Sequence, residues 1–389
     1  MNELQISCII PCYNSQKYIA KTITSVLNQT VKPLEIILVD DKSTDNTLQI
    51  LKKVKSVNEN LIKVIELQEN KGSSFARNYG VKIASGEYVL FMDSDDIADP
   101  KLLEKYVNRL ETLNKSNLLF QLCYSGYVQI DQDDNIISSV IKGFQCDPIE
   151  ILGYQFVRNS ISTSGVIVHK DLFLETGGFN ENLRYAEDWD LWLRLAAKTG
   201  FAYVDEPLVK IRRHGDNLSA KVNLMLQAEK EILKQYDKSY IKNAIFRRKL
   251  TYEQNMVDYV ALLFRLDDWE EGFIELKNLM EKGYRFYNLY FYLGLYYLHH
   301  YQLDNALTYF TKTITYKHNH GAALNNAGAI FLLKGKQKEA EKCLHAAIDY
   351  FPNYIDANHN LKYLNDDSVT IESLNFTWRE LREVLTSYR

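Results

Sequence analysis

Four short, almost uninterrupted apolar runs pace the first hundred residues: 5–11 (QISCIIP), 34–40 (LEIILVD), 61–67 and 87–92 (EYVLFM). Runs of this length without polar alternation suit strands buried on both faces. Helical patterns lie between them, at 17–28, 43–54 and 73–84, and Ser43-Thr44-Asp45 reads as a helix start. Alternating strands and helices require crossover connections. They predict an α/β fold with a mostly parallel sheet and helices on both faces. Further strands are expected at 118–130 and 164–168, and a helix from Ala186 to before Gly200. The last strand, 201–211, contains Pro207, which makes it an edge or bent strand.

Ligands of open parallel sheets bind beyond the carboxyl ends of the strands. Pro11-Cys12-Tyr13-Asn14 follows the first run, and Asp40-Asp41-Lys42-Ser43-Thr44-Asp45 the second. Asn70-Lys71-Gly72 follows the third, with Arg77 in the next helix, and Asp93-Ser94-Asp95-Asp96 follows the fourth. Polar groups from four segments therefore converge at one end of the sheet. Carboxylates two apart on an extended segment share one side and repel unless a cation separates them. Hard divalent ions, magnesium or manganese, take such oxygen ligands and share them with substrate phosphates. Taken alone, the acidic run reads as a turn or helix cap ahead of Pro100. Beside the other three loops it reads as a cation site.

Composition narrows the classes. Lys and Arg number 46 against 50 Asp and Glu, so no basic excess points to a nucleic-acid partner. The five cysteines are odd in number and widely spaced, which fits reduced thiols and a cytoplasmic protein. The N-terminal residues run into the first strand without the basic and apolar regions of a signal peptide. The stretch 286–303 has no Asp, Glu, Lys or Arg, but Asn288, His299, His300 and Gln302 interrupt it, so a buried helix is expected there.

After residue 220 helix formers and aromatics dominate. Gly294 returns as Gly328, Ala306 as Ala340 and Phe310 as Leu344, each 34 residues later. A small residue in each of two antiparallel helices at this period is the tetratricopeptide signature. The division expected is 1–220 and 221–389, with the clearest repeats at 287–320 and 321–354 and a C-terminal capping helix. Such stacks present surfaces suited to a protein partner or to self-association.

In order, CIIPCYN, LVDDKSTDNT, NKGSSFARNYG, GEYVLFMDSDD and YAEDWDLWLR resemble the family 2 glycosyltransferases of the GT-A fold, over about residues 4–220. The resemblance implies a Rossmann-like domain that moves a sugar from a nucleotide-sugar donor, UDP-linked in the expected case, to a glycan, glycolipid or protein acceptor. It implies that Pro11, Tyr13, Asn14 and Ser94 line the nucleotide and that Asp41 bonds the base edge. Asn70 and Gly72 would border the nucleoside and Arg77 would approach the diphosphate. Asp93 would contact ribose and metal, Asp95 would bind the metal, and His214 would reach the metal or diphosphate. Asp188 would be the catalytic base, Glu187 its supporting carboxylate, and the Trp189 ring part of the acceptor surface. Asp188 also begins a predicted helix, where an Asp caps free N–H groups. The enzyme would invert the anomeric centre and work in the cytoplasm or peripherally at the inner face of the membrane.

Two rivals share these features. A nucleotidyltransferase would carry a glycine-rich, basic loop after the first strand, and Pro11-Cys12-Tyr13-Asn14 has neither. A non-enzymatic adaptor would not need Asp41, Asp95 and Asp188 intact.

Overall fold

Strand β1 (Ile6–Cys12) is buried along its whole length, as a strand with apolar side chains on both faces must be. Its alternate residues Ile6, Cys8, Ile10 and Cys12 join a core with Ile19, Ile23 and Val26 of α1 (Ile19–Leu27) and with Leu102, Leu103, Tyr106 and Leu110 of α4 (Leu102–Asn114). Successive side chains point to opposite faces, so Ile9 meets the other layer. A Cβ on Gly80 of α3 (Ser73–Ile83) would lie 2.5 Å from Ile9 Cγ2, so glycine lets this helix press onto the sheet.

The computed structural model describes residues 4–115, 120–214, 222–366 and 368–381. The chain divides into two compact units, Met1–Arg248 and Lys249–Arg389. The boundary expected at 220 and the strand start expected at Leu118 lie outside the described residues.

In the first unit, β2 (Glu35–Asp40), α2 (Thr47–Ser56), β3 (Ile62–Glu66) and β4 (Tyr88–Phe91) complete the alternating half. There follow β5 (Ile97–Ala98), β6 (Phe120–Ile130), α5 (Ile151–Val157), β7 (Val166–His169), α6 (Lys170–Glu175), α7 (Glu187–Ala196) and β8 (Gly200–Arg212). Two further helices, α8 (Val222–Leu233) and α9 (Lys238–Ile245), close the unit. The eight strands form one sheet in the order β3-β2-β1-β4-β7-β6-β8-β5. β1 is parallel to both β2 and β4, and β2 to β3. β7 runs antiparallel to β4 and β6, so the sheet is mixed beyond β4. The strand order reverses between β1 and β4, which puts the ligand crevice of such a sheet beyond Cys12 and Phe91. β8 is bent as Pro207 predicts: its pairing with β6 shifts register around Gly126, opposite Pro207.

The second unit is all helical. It pairs α10 (Tyr252–Arg265) with α11 (Trp269–Glu281), α12 (Tyr287–His299) with α13 (Leu303–Tyr316), and α14 (Gly321–Leu333) with α15 (Gln337–Tyr350), and ends in α16 (Ile355–Leu361) and a short 3-10 turn at Ile371–Ser373. The residues that recur at 34 touch each other. A Cβ on Gly294 would meet the Phe310 ring at 2.6 Å, and one on Gly328 would meet Leu344 at 2.7 Å. The uncharged stretch becomes α12, a thirteen-residue helix buried over most of its turns. No helix among the described residues is long and apolar enough to cross a membrane.

Candidate active site

The loops after β1, β2 and β3 are laced to one another. Asn14, in left-handed backbone at φ 47°, accepts from the Thr44 N–H at 2.8 Å and donates its own N–H to Ser43 Oγ at 3.1 Å. Asp41 is buried, and its two carboxylate oxygens accept the N–H groups of Lys71 and Gly72, each at 2.7 Å. Asn70 donates back to the Asp41 carbonyl at 3.0 Å. Burial pushes the Asp41 carboxyl up, and the two N–H donors pull it part of the way back. Asp41 therefore fastens the third loop to the second. Pro11 lies within β1, whereas Tyr13 is half exposed at the strand end.

The acidic loop after β4 is tied from several sides. Thr22 Oγ1 donates to the Ser94 carbonyl at 3.0 Å, and the Asp93 N–H reaches Ser164 Oγ at 3.2 Å. Asp95 Oδ2 meets His214 Nε2 at 2.9 Å, both half-buried. Beneath them lies the wholly buried Arg212. Its Nε donates to the Asp95 carbonyl at 2.9 Å, and its guanidinium sits 4.5 Å over the Tyr18 ring, on which His214 also stacks at 5.6 Å. Asp96, also buried, accepts the Arg212 N–H, and burial drives its carboxyl well above the usual range.

Arg77 joins this loop to α7. Its Nη2 donates to Asp93 Oδ1 at 2.7 Å and its Nη1 lies 3.5 Å from Glu187 Oε1. The guanidinium is almost wholly buried, 5.1 Å from the Phe179 ring centre. Burial opposes its charge, but Asp93 and Glu187 outweigh it and hold the cation. Arg77 is thus buried between two acids, and Asp93 faces Arg77. Among the described residues no three His, Cys, Asp or Glu side chains gather as a metal site.

α7 starts abruptly from Ala186, left-handed at φ 57°. With Asn14 and with Lys42 at φ 63°, that puts a strained non-glycine residue in three of the loops that form the site, a pattern common at functional sites. Asp188 Oδ1 accepts from Asn159 Nδ2 at 3.2 Å and from the Trp189 N–H at 2.6 Å, and Thr163 Oγ1 lies 3.5 Å from Oδ2. Burial and the adjacent Glu187 push its carboxyl up to about 7. Burial likewise raises Glu187, with Arg77 opposing. Asp190 and Arg194 form the i, i+4 ion pair at 2.6 Å.

Trp189 is not an acceptor surface. It is fully buried, and its indole N–H donates to the Gln155 carbonyl at 2.7 Å. Its position one residue after Asp188 turns it toward the core, as with Trp192. Asn159, Thr163, Ser164, Tyr18 and Arg212 were not read as site residues. They belong to no spaced motif: Asn159, Thr163 and Ser164 lie just before β7 and Arg212 ends β8, while Tyr18 immediately precedes α1. A cavity of about 650 Å³ bordered by Lys105, Arg109, Lys142, Phe144 and Tyr203 includes none of these groups.

Residues 7–148 match the model of Glycosyl transferase family 2. An uncharacterized glycosyltransferase of Haemophilus influenzae is 30% identical over 264 residues, covering 66% of this chain and 79% of that protein. The chain belongs to glycosyltransferase family 2. It is accordingly an enzyme of the glycosyltransferase class. The Chondroitin synthase of Escherichia coli is 31% identical over 265 residues, which cover 64% of this chain and 36% of that protein, so the chain spans little more than a third of that relative. The crystal structure of S. aureus TarS 1-349 in complex with UDP-GlcNAc shares the fold, with a TM-score of 0.50 and 20% identity over 90% of this chain and 91% of that one.

Proposed function

We propose that this family 2 member is an inverting, metal-dependent glycosyltransferase that moves a sugar from a UDP-linked donor to an acceptor hydroxyl of a surface polysaccharide, glycolipid or protein glycan. The observation that carries the reading is Asp188. It is a carboxylate raised to about 7 and oriented by Asn159 and Thr163, beside the Glu187–Arg77–Asp93 chain that leads to the acidic loop. A base matched to neutral pH is what proton removal from a hydroxyl requires. Asp188 takes the acceptor proton as the oxygen attacks the anomeric carbon, and the nucleoside diphosphate leaves from the opposite side. One base and one displacement invert the centre.

The nucleoside would lie over Pro11, Tyr13 and Asn14, against the segment that Asp41 locks at Asn70 and Gly72, with Asp93 and Ser94 at its ribose. Asp95 and His214 fit a divalent ion: one oxygen and one nitrogen face each other at 2.9 Å, and magnesium and manganese commonly take few protein ligands and complete their shell with water and phosphate. Such an ion would neutralise charge developing on the leaving diphosphate. The choice of UDP extends to this chain the nucleotide of the TarS complex. The helix pairs at period 34 are tetratricopeptide-like repeats in this reading. The five free cysteines suit the reducing cytoplasm.

The test is nucleotide release. UDP-sugars should yield free UDP in the presence of manganese or magnesium, and Asp95→Ala should abolish it. Pyrophosphate made from a sugar phosphate and a nucleoside triphosphate would replace this reading with nucleotidyl transfer. Absence of both turnover and nucleotide binding would leave an adaptor.

A further inference from the structure

The turn after β6 is built around its own first residue. Asp131 Oδ1 accepts the N–H groups of Asp133 and Asn135 at 2.8 and 2.9 Å, and Asn135 Nδ2 donates to Oδ2 at 3.0 Å. Asp134 is left-handed there at φ 72°, a conformation that aspartate tolerates better than most residues. The turn therefore holds its shape from within and sends two groups to Arg212. The Asp131 carbonyl accepts from Arg212 Nη1 at 2.7 Å, and Asp134 Oδ1 lies 2.5 Å from Nη2. Lys21 of α1 also pairs with Asp134, and Lys21 and Arg212 together hold that carboxyl below its usual range.

Arg212 carries this contact inward. Its side chain is fully buried, and a buried cation is costly unless it is paired and hydrogen-bonded. Asp134 supplies the opposite charge, and the carbonyls of Asp131 and Asp95 take two of its N–H groups. The Tyr18 ring lies 4.5 Å from the guanidinium, and the same ring stacks on His214 at 5.6 Å. One guanidinium thus touches the backbone of Asp95 and the ring that carries His214, and the side chains of these two residues face each other at 2.9 Å. Pairing with β6 fixes the strand end: Arg212 stands against Ile130, and the Arg213 N–H donates to the Ile130 carbonyl at 2.8 Å. A planar guanidinium holds several acceptors at once in one fixed geometry, which a lysine ammonium does not.

On the divalent-ion reading of the Asp95–His214 pair, we propose that Arg212 is its positioning residue and that Asp134 is the counter-ion that keeps Arg212 in place. Arg212 acts through the Asp95 carbonyl and the Tyr18 ring, and Asp134 acts through Arg212. Two side chains already set against each other lose little freedom when an ion binds, whereas a loosened pair must be ordered first. The turn at 131–135 thereby governs a site to which it gives no ligand.

The test uses the full chain and two readouts. Manganese affinity is measured by electron paramagnetic resonance without donor. The His214 ring is followed by NMR without metal, its signal assigned as the one that His214→Asn removes. Asp134→Asn and Arg212→Lys should each weaken manganese binding by roughly tenfold to a hundredfold, the range for groups that orient metal ligands. Both should also shift the His214 signal as the ring moves on Tyr18. Asp133→Asn removes the same charge from an exposed neighbour on the same turn and should change neither readout. An unmoved His214 signal, or an unchanged manganese affinity, in a folded Asp134→Asn chain overturns the positioning role. So does a loss in Asp133→Asn as large as that in Asp134→Asn, which would make the effect one of net charge. Should Arg212→Lys not fold, Asp134→Asn, isosteric and partly exposed, decides alone. If the unaltered chain binds no manganese, the ion of the proposed function fails and the His214 signal still decides. A shift in Asp134→Asn without one in Asp133→Asn then sustains the positioning role, and no shift overturns it.

Discussion

Asp188 has opposite consequences for activity and stability. As the base proposed here it would work only when ionised, so transfer should rise with pH through a midpoint of about 7 and then level off. For stability the sign is reversed. The folded state holds the proton more tightly than the unfolded chain, whose aspartates titrate near about 4. Stability from this group is full below that value and declines as pH climbs toward 7. Glu187 adds to the cost of ionisation and Arg77 reduces it. Asp188→Asn should therefore cut transfer by roughly a hundredfold or more while nucleotide affinity stays within a few-fold. Its melting temperature relative to the unaltered protein should rise between about pH 5 and pH 8. Transfer near the original rate would reduce Asp188 to the helix-cap role that its position also suggests. That residue was readable from its motif, but its environment was not. Asn159 and Thr163 lie 29 and 25 residues upstream, in a segment without any pattern.

Among the elements, the helix pairs of the second unit depend on absent side chains. Gly328 lets α14 lie against Leu344, so Gly328→Val would drive two methyl groups into a space that a Cβ alone already overfills. Overpacking of this kind costs about 1–3 kcal/mol. Chemical denaturation should show that loss, with a far-UV signal that stays helical. A cost near zero would mean that the pair is held apart by something other than this contact. The period of 34 was legible because each pair repeats the same packing problem.

For the whole molecule, the first unit extends to Arg248. The change in composition near residue 220 marks where strands stop and not where packing stops. In α9, Ala244 presents its backbone to α5, where a Cβ on Gly153 would come within 2.3 Å of it, and Tyr236 meets Phe156 edge-on at 5.0 Å. A chain ending near residue 220 should therefore aggregate or bind nucleotide poorly, whereas residues 1–248 should remain folded and release nucleotide from the donor. Expression of both fragments with a melting curve and a release assay checks this, and equal behaviour would remove α8 and α9 from the fold of the first unit.

What was legible in one dimension was whatever repeats or clusters along the chain. The buried strands of β1, β2 and β4, the loops at their carboxyl ends and the bend at Pro207 announce themselves within a few residues, because local periodicity and turn chemistry act over that range, and the helix pairs announce themselves by their recurrence at 34 residues. The tertiary structure decided which charged groups pair. Arg77 lies between Asp93 and Glu187, 16 and 110 residues away, and Trp189 points inward although its neighbour faces the site. Burial and pairing depend on which elements the fold makes adjacent, and β7 enters the centre of the sheet and β8 lies between β6 and the edge strand β5 by an order that no local pattern encodes.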